Sequence, residues 1–224
     1  MYDNLPVRFA GVRQNAVLLA QKFLGEILHA GCVAVDATAG NGHDTLFLAG
    51  LVGESGKVYA FDVQRAALDN TYRRLREAGL AGRVVLINDG HERMDRYLPG
   101  PVDGFMFNLG YLPGGDHSRL TRPETTLQAL ELAAGMLKPG GRISVVVYTG
   151  HRGAGEESRA VEEMASSLDP GTYGVLKVVF ANRSALAPFL ILVEKVGRED
   201  ENLAPEENTG NNKRAGDRYP GGTG

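Results

Sequence analysis

The stretch Val33-Ala34-Val35-Asp36-Ala37-Thr38-Ala39-Gly40-Asn41-Gly42-His43-Asp44 decides the fold of this 224-residue chain. It begins with β-branched and small apolar residues, passes through an acid into a glycine turn, and continues into a helical pattern. A strand of this kind brings its loop to the edge of a sheet, glycines let the backbone approach a ligand closely, and the following helix offers unpaired N–H groups. The sequence therefore predicts a strand–loop–helix unit that holds a nucleotide-type ligand, with a purely structural unit as the alternative.

The charge and the glycine spacing of this loop narrow the kind of ligand. A dinucleotide-binding loop has the pattern G-x-G-x-x-G, and Thr45 stands where the third glycine is needed. The Asp36 carboxylate at the strand end would repel a pyrophosphate, but it suits a ligand with a positively charged amino group, such as S-adenosylmethionine (AdoMet). We therefore predict an AdoMet site, and its expected loop contacts are Asp36, Thr38, Gly40, Asn41 and Gly42.

The composition is that of an ordinary globular chain. Hydrophobic residues make up 43% and charged residues 23%, and the formal net charge is -3. Because a near-neutral chain has no overall basic field, nucleic-acid binding must come from a local patch. The single cysteine excludes an intramolecular disulfide and a cysteine-based zinc cluster, and we expect no bound metal. No apolar run reaches about 18 residues, so we expect a cytoplasmic protein without a membrane segment.

Strand and helix patterns alternate along the chain. The predicted strands are residues 32–37, 57–62, 84–88, 102–108, 143–148, 173–180 and 189–194, and the predicted helices are residues 15–31, 43–51, 64–78, 123–137 and 156–168. Since no helix pattern separates the last two strands, we predict that they pair as an antiparallel hairpin. The predicted fold class is therefore α/β, a doubly wound and mostly parallel seven-stranded sheet with a C-terminal antiparallel hairpin.

The chain divides into three regions by composition and pattern. Residues 1–31 are expected to form an N-terminal segment and a helix packed on the domain, and residues 32–196 are expected to form the ligand-binding domain. From about Gly197 the chain is rich in Glu, Asn, Gly and Pro and has almost no large apolar residues. Such a segment cannot bury enough apolar surface to offset its ordering entropy, so we expect a disordered tail over residues 197–224.

Acidic residues stand at the ends of the second and third predicted strands. Because the carboxyl ends of strands in such a sheet face the ligand crevice, these positions are candidates for cofactor binding. Asp62 can accept hydrogen bonds from both hydroxyls of a ribose, and Gln64 stands beside it. Asp89 can accept from an adenine amino group, and His91 follows it closely. For each acid, capping of the following helix is the alternative interpretation.

The fourth predicted strand ends in Asn108-Leu109-Gly110-Tyr111. Methylation of an amine requires the nitrogen lone pair to point at the sulfonium methyl group. The Asn108 side-chain oxygen and the Leu109 carbonyl can accept the two N–H hydrogens and set that direction, which is catalysis by orientation. Tyr111 can cover a planar base. We predict Asn108, which also faces the cofactor, and Tyr111 as catalytic residues, with an asparagine that caps a turn as the alternative.

The loop after the fourth strand is long for a compact domain, and such loops often carry function. Gly110, Asp116, Arg119 and Arg122 belong to this loop, and His151 follows the fifth strand. The two arginines and His151 can form a local rim that binds phosphates, and we place all five residues in the substrate site. An ordinary solvated loop is the alternative interpretation for each of these side chains.

Together these motifs resemble the class I AdoMet-dependent methyltransferases. More narrowly, they resemble the rRNA methylase-like family of enzymes that methylate the amino group of 5-aminomethyl-2-thiouridine at the wobble position of tRNA. The resemblance lies in Asp36-Ala37-Thr38-Ala39-Gly40-Asn41-Gly42-His43-Asp44-Thr45, Phe61-Asp62-Val63-Gln64, Asn108-Leu109-Gly110-Tyr111-Leu112-Pro113-Gly114-Gly115-Asp116, Arg122-Pro123-Glu124-Thr125-Thr126 and Val146-Val147-Tyr148-Thr149-Gly150-His151. It extends over roughly residues 33–195, nearly the whole folded part.

The resemblance implies a Rossmann-like methyltransferase fold, AdoMet as cofactor and a homodimer. It implies that Asp36, Gly40, Gly42, Asp62 and Gln64 lie in the AdoMet site. It further implies that residues 108–111 lie beside the acceptor amine and residues 114–122 beside the anticodon stem-loop of the tRNA.

Three other functions are weighed against this interpretation. An rRNA or small-molecule methyltransferase shares the chemistry and differs in its acceptor. A nicotinamide oxidoreductase is disfavoured by Asp36 and by the missing third glycine. A non-catalytic AdoMet- or RNA-binding module would keep the cofactor site and tolerate the loss of Asn108.

Overall fold

The computed structural model describes residues 16–110, 122–150, 154–184 and 186–197, and within them the chain forms one seven-stranded sheet and five α-helices. The strands are β1 (Val33–Asp36), β2 (Lys57–Phe61), β3 (Val84–Ile87), β4 (Val102–Leu109), β5 (Leu137–Val147), β6 (Tyr173–Val178) and β7 (Phe189–Lys195). The helices are α1 (Ala16–Gly25), α2 (His43–Leu51), α3 (Arg65–Glu77), α4 (Pro123–Met136) and α5 (Ala154–Ser167). Short 3₁₀ helices, Ala81–Arg83 and His91–Arg96, precede and follow β3.

The strand order brings the loop after β1 to the middle of the sheet. The order is β3-β2-β1-β4-β5-β7-β6, in which β1 to β5 are parallel and β7 is antiparallel to β5 and β6. The predicted doubly wound, mostly parallel sheet with its antiparallel hairpin is confirmed. The direction of winding reverses between β1 and β4, and sheets of this kind bind ligands at the carboxyl ends of the strands where this reversal occurs.

Both faces of the sheet are buried, which explains the nearly continuous apolar runs of the central strands. On one face Phe105 and Phe107 of β4 pack in the same core as Leu130 of α4. On the other face Met106 of β4 packs in the same core as Leu24 of α1. Since successive strand residues point to opposite faces, a single strand supplies both cores and fixes where its end lies.

Charged side chains at the amino ends of the central strands are paired with one another. Lys138 Nζ donates to the two carboxylate oxygens of Asp103 at 2.8 and 2.9 Å. Arg142 donates to Glu194 of the neighbouring strand and to Glu26, each at 2.6 Å. We call Glu26, Asp103, Lys138, Arg142 and Glu194 the amino-end cluster.

The amino-end cluster also attaches α1 to the sheet. Arg142 Nη1 donates to the Phe23 carbonyl at 2.8 Å, and the guanidinium carbon lies 4.5 Å from the centroid of the Phe23 ring. Charge, hydrogen bonding and ring contact therefore act on the same arginine. The parts of the predicted N-terminal region and tail that fall in residues 1–15 and 198–224 lie outside the described residues. None of the helices described is long and apolar enough to cross a membrane.

Two element boundaries differ from those that the sequence predicts. The periodicity predicts a helix up to Gly31, but α1 ends at Gly25, a residue type with low helix propensity. The sequence predicts a fifth strand from residue 143, but β5 begins at Leu137, because Leu137 pairs with Val102 of β4. A register shift between the pairs of Val102 and Gly104 accommodates the glycines between these two parts of β5.

Candidate functional site

The loop after β1 is held between the end of β2 and helix α3. Gly40 and Gly42 have φ values of 52° and 79°, which favour glycine. The Gly40 N–H donates to Asp62 Oδ2 at 2.9 Å, and the Gly40 carbonyl accepts from the Thr71 hydroxyl at 3.0 Å. A Cβ atom on Gly42 would lie 2.8 Å from the Thr71 Cα atom, so a larger residue requires the backbone to move. The Asn41 carbonyl accepts from Arg74 Nε at 3.0 Å, which adds a third contact to α3.

Asp62 joins this loop to the start of α3. Its Oδ2 atom accepts from Gly40, and its Oδ1 atom accepts from the Gln64 N–H at 2.7 Å. Each carboxylate oxygen can accept about two hydrogen bonds, so both retain capacity for another donor. The side chain is half-buried, and burial raises its pKa above the ordinary 3.8. The arrangement suits two neighbouring hydroxyl donors, such as those of a ribose.

Asp36 lies beneath the loop and is 1% exposed. Its Oδ1 atom accepts from the Thr38 N–H at 3.1 Å, and its Oδ2 atom accepts from the Thr45 hydroxyl at 2.6 Å. Burial, together with the nearby charge of Asp44, raises the pKa of Asp36 from 3.8 to about 7, although these hydrogen bonds lower it. Asp36 therefore stabilises the conformation of the loop through internal hydrogen bonds. Because the side chain is almost fully buried, its charge would act on a ligand through the electrostatic field and not through a direct hydrogen bond.

Asn108 at the end of β4 is held from two sides. Its backbone N–H donates to the Thr38 hydroxyl at 2.7 Å, which joins β4 to the loop after β1. Its Nδ2 atom donates to Asp44 Oδ2, and its Oδ1 atom is buried without a hydrogen-bond partner. A buried amide oxygen without a partner is unusual and is a candidate acceptor for a ligand.

Asp44 and Gln21 are neighbours of this site that the sequence analysis did not select. Gln21 Nε2 of α1 donates to Asp44 Oδ1 at 2.7 Å. Burial raises the pKa of Asp44 above 3.8, although the hydrogen bonds from Gln21 and Asn108 lower it. Asp44 stands in the quoted motif, in the first turn of α2, so the sequence held a signal for it. No signal marked Gln21, because only the packing of α1 brings it to the crevice.

The carboxylates of Asp36, Asp44 and Asp62 form an acidic group at the carboxyl ends of β1 and β2 and the start of α2. Their pKa values are all raised, chiefly by burial. Among the described residues, no lysine or arginine forms an ion pair with any of them. Buried acids without a protein cation are typical of binding sites, and a ligand with positive charge would satisfy them. The ammonium and sulfonium groups of AdoMet supply such charge, so these residues fit this cofactor.

The residues after β3 are more fully engaged by the protein. The Asp89 carboxylate accepts from Arg93 Nε at 2.8 and 2.9 Å and from the Tyr97 hydroxyl at 2.8 Å, and the Arg93 bond holds its pKa well below the ordinary value. His91 is buried, and its Nδ1 atom lies 3.0 Å from the Ala37 carbonyl. Burial lowers the pKa of His91 below 6.5. Both side chains therefore make their contacts inside the protein, and Gly90 between them is buried.

The acceptor side of the site is described only in part. Leu109 is buried, and its carbonyl accepts a long 3.4 Å bond from the Tyr148 N–H. A Cβ atom on Gly110 would lie 3.5 Å from the Tyr148 ring, which is itself 39% exposed. Arg122 is exposed and stands at the start of α4, where its carbonyl accepts from the Thr126 N–H at 2.9 Å. Four predicted site residues lie outside the described residues: Tyr111, Asp116, Arg119 and His151.

Metal binding has no visible support in the part of the chain that the structure describes. No group of three or more His, Cys, Asp or Glu side chains there is arranged to hold a metal ion.

Sequence comparison relates the chain to one family and to a characterised plant protein. The family description "Putative rRNA methylase" matches residues 58–194. The chain is 39% identical over 210 residues to the protein named "tRNA (mnm(5)s(2)U34)-methyltransferase, chloroplastic" of Arabidopsis thaliana, and the match covers 86% of this chain and 76% of the relative.

Solved structures with the same architecture agree with this relationship. A "putative rRNA-methylase" from Clostridium thermocellum is 45% identical, with a TM-score of 0.79 over 81% of this chain and 98% of its own. A "putative methyltransferase" from Streptococcus mutans, solved in complex with SAH, is 37% identical, with a TM-score of 0.74 over 81% of this chain and 98% of its own. A SAM-dependent O-methyltransferase from Thermotoga maritima, 19% identical with a TM-score of 0.57, shares the fold over 82% of this chain and 65% of its own.

Proposed function

This chain belongs to the "Putative rRNA methylase" family of AdoMet-dependent methyltransferases, and from that premise we propose that it methylates the aminomethyl group of 5-aminomethyl-2-thiouridine at the wobble position of tRNA. The nitrogen–carbon bond forms as the sulfur–methyl bond breaks, and the products are 5-methylaminomethyl-2-thiouridine, S-adenosylhomocysteine (SAH) and one proton. The name of the Arabidopsis relative supports the acceptor. The observation in this chain that carries the proposal is the buried and unpartnered Oδ1 atom of Asn108, at the end of β4.

The proposed cofactor site is the loop after β1 together with the end of β2. When bound, AdoMet supplies an electrophilic methyl group on its sulfonium. Asp62 binds the ribose hydroxyls, the backbone around Gly40 and Gly42 approaches the cofactor closely, and Gln64 lines the same side. Asp36, Thr38 and Asn41 keep the loop in this shape, and Asp89 and His91 support the wall near the adenine. The raised pKa values of Asp36, Asp44 and Asp62 support a site that receives positive charge.

The proposed catalytic step is orientation of a neutral amine by Asn108 and Leu109. Asn108 Oδ1 accepts one N–H hydrogen of the amine, and the Leu109 carbonyl, whose bond from the Tyr148 N–H is long at 3.4 Å, accepts the other. The nitrogen lone pair then points toward the methyl donor. As the nitrogen gains positive charge in the transition state, both carbonyl dipoles stabilise it. Orientation, rather than strong base catalysis, is therefore the main contribution of these two residues.

The proposed acceptor surface extends outward from Gly110. Tyr111 covers the uridine ring, while Arg119, Arg122 and His151 bind phosphates of the anticodon stem-loop. Asp116 lies on the same proposed surface. A local rim of this kind supports tRNA binding by a chain whose net charge is only -3.

Assembly and location belong to the same proposal. We propose a homodimer because the family resemblance implies one, and sedimentation velocity at several concentrations tests it. We propose a cytoplasmic location because the sequence contains no long apolar run, and fractionation of the source cells tests it. The Arabidopsis relative is named as chloroplastic.

The test uses the purified chain, isotope-labelled AdoMet and tRNA that carries 5-aminomethyl-2-thiouridine. Nucleoside mass spectrometry should show one added methyl group on that nucleoside. Asn108→Ala should lower kcat by on the order of 100-fold, because the amine loses its orientation. The matched control is Asn182→Ala, since Asn182 is an exposed residue between β6 and β7.

Each outcome of this test bears on a different part of the proposal. An unmodified nucleoside, in a preparation that binds AdoMet and methylates rRNA or another amine, would overturn the tRNA assignment. Full activity of Asn108→Ala would overturn the orienting role of that residue. Equal losses in Asn108→Ala and Asn182→Ala would show that the effect comes from general damage to the fold.

A further inference from the structure

The Asp44 carboxylate lies between two side-chain amides. Gln21 Nε2 donates to its Oδ1 atom at 2.7 Å, and Asn108 Nδ2 donates to its Oδ2 atom. Asp44 is 8% exposed, so neither contact is a loose surface pair. These two bonds come from α1 and β4, and Asp44 itself belongs to the first turn of α2. Three elements therefore meet at this carboxylate.

The orientation of the Asn108 amide decides what it offers to a ligand. An asparagine amide has a donor end and an acceptor end of nearly equal shape, so packing alone does not choose between them. An ionised carboxylate accepts hydrogen bonds and does not donate them. The Nδ2 end of Asn108 must therefore face Asp44, and the Oδ1 end must face away. That Oδ1 atom is buried and has no partner within the protein.

We propose that Asp44 is a positioning residue that sets the orientation of the Asn108 amide and thereby presents Oδ1 to the acceptor amine. The inference rests on the proposed function, since it assigns to Asp44 a role in the same methyl transfer. With the amide turned over, an NH₂ group would meet the N–H hydrogens of the amine, donor against donor. The amine would then lose its acceptor, and its lone pair would no longer point at the methyl group.

Gln21 fixes Asp44 in turn. Its bond to Oδ1 leaves Oδ2 as the oxygen that faces Asn108, so the carboxylate cannot rotate without losing a contact. Burial of the group makes such a loss costly. The N-terminal helix thus contributes to the site through one side chain.

A purely structural role for Asp44 is the competing explanation. An acid in the first turn of a helix interacts favourably with the helix dipole. Asp44→Ala would then lower stability without a specific loss of turnover. The two explanations also differ in what happens when the donor and acceptor residues are exchanged.

The exchange variant Asp44→Asn/Asn108→Asp tests the orientation directly. Asn at position 44 can accept from Gln21 through its oxygen and donate to Asp at position 108 through its nitrogen. The second oxygen of Asp at position 108 then faces the amine as an acceptor. The single variant Asn108→Asp instead places two carboxylates against each other. The double variant should therefore recover about tenfold in kcat relative to Asn108→Asp, measured below the melting transitions of both variants so that restored stability does not account for the gain.

The experiment measures kcat and KM for the tRNA, SAH affinity and the melting temperature for each full-length variant. Asp44→Ala should lower kcat by roughly 10- to 100-fold, a larger factor than its loss of SAH affinity, because orientation of the amine affects turnover and not SAH binding. Asp95→Ala, which changes an exposed acid, is the control. A kcat for Asp44→Ala equal to that of the wild type, or no recovery in the exchange variant, would overturn the proposal.

A second measurement does not depend on turnover. In nuclear magnetic resonance spectra, the side-chain NH₂ signal of Asn108 should show a proton hydrogen-bonded to a carboxylate, and Asp44→Ala should remove that shift. An unchanged signal in Asp44→Ala would overturn the proposal even if activity falls. A shifted signal in a wild-type protein that does not methylate the tRNA would support the orientation by Asp44 and overturn the proposed function alone.

Discussion

Carboxylate side chains have different hydrogen-bond partners at the two ends of the central strands. At the amino ends, Asp103 accepts from Lys138 at 2.8 Å and from the Val33 N–H at 2.7 Å. At the carboxyl ends, the hydrogen bonds that Asp36 and Asp62 accept within the described residues come from neutral donors, and the pKa values of both acids are raised.

This difference indicates that charged groups at the amino ends of the strands contribute to stability. Those at the carboxyl ends are better suited to ligand binding. Pairing a carboxylate with a cation satisfies it within the fold, and the amino-end cluster joins α1, β4, β5 and β7 in this way. Leaving buried carboxylates without a cation costs free energy in the free protein, and a cationic ligand recovers it. If this end binds the cofactor as proposed, binding should therefore raise the stability of the protein.

The largest expected effect is on the pH dependence of stability in the free protein. An acid whose pKa is higher in the folded state keeps its proton longer there, so the free energy of unfolding falls as pH rises from 3.8 to about 7. For Asp36 this fall is at most about 4 kcal/mol. Asp36→Asn removes the titrating group, so the wild type should lose stability relative to Asp36→Asn across this window. Chemical denaturation at a series of pH values measures the difference, and parallel curves would contradict the prediction.

Asp62→Ala should weaken cofactor binding by on the order of 100-fold, or about 2.7 kcal/mol, through loss of two charge-assisted hydrogen bonds. Isothermal titration with SAH measures this change. Asp95→Ala is the matched control, because it removes an exposed acid that makes none of the loop contacts described for Asp62. Equal SAH affinities for Asp62→Ala and the wild type would show that the end of β2 does not bind the cofactor.

Gly42→Ala should lower the free energy of unfolding by about 2 kcal/mol, because the backbone is left-handed there and the new Cβ atom meets the Thr71 backbone. Thermal denaturation measures the effect. The matched control is Gly50→Ala in α2, where nothing lies within 4 Å and alanine favours the helix. That control should raise stability by roughly 0.5–1 kcal/mol. A Gly42→Ala variant as stable as Gly50→Ala would contradict the strain argument.

Asp103→Asn gives the smallest of these effects and tests the other end of the strands. It removes the charge that Lys138 pairs with but keeps an oxygen for the Val33 N–H, so the loss of stability should be about 1 kcal/mol. SAH affinity should not change, because the amino-end cluster lies at the opposite end of β4. A loss of SAH affinity without a loss of stability would contradict the assignment of stability to the amino ends and of cofactor binding to the carboxyl ends.

Local patterns predicted the fold well where they were strong. The helix 43–51 agrees with α2 at both ends, since a glycine turn precedes it and a turn follows it. The hairpin of β6 and β7 followed from the missing helix between them. The start of β5 at Leu137 was missed, because it depends on a pairing with Val102 that only the assembled sheet provides.

The sequence predicted the location of the site better than it predicted the hydrogen bonds within it. Strand ends pointed to Asp36, Asp62 and Asn108, and the structure brings these three residues to one end of the sheet. The sequence did not indicate that both oxygens of Asp36 are bonded inside the loop. Nor did it indicate the contact from Gln21, which depends on how α1 packs.

The position of β7 has a consequence for how the chain folds during synthesis. β7 is the last strand in the sequence, yet it lies between β5 and β6 and pairs with both. Until residues 189–195 leave the ribosome, β5 remains an open edge with unpaired backbone groups, a known risk for aggregation. Arg142 also lacks Glu194 until then, so its link from helix α1 to the sheet is incomplete. The sheet therefore closes late, and any delay in translation before β7 leaves the edge of β5 and its apolar residues Val145, Val146 and Val147 exposed for longer.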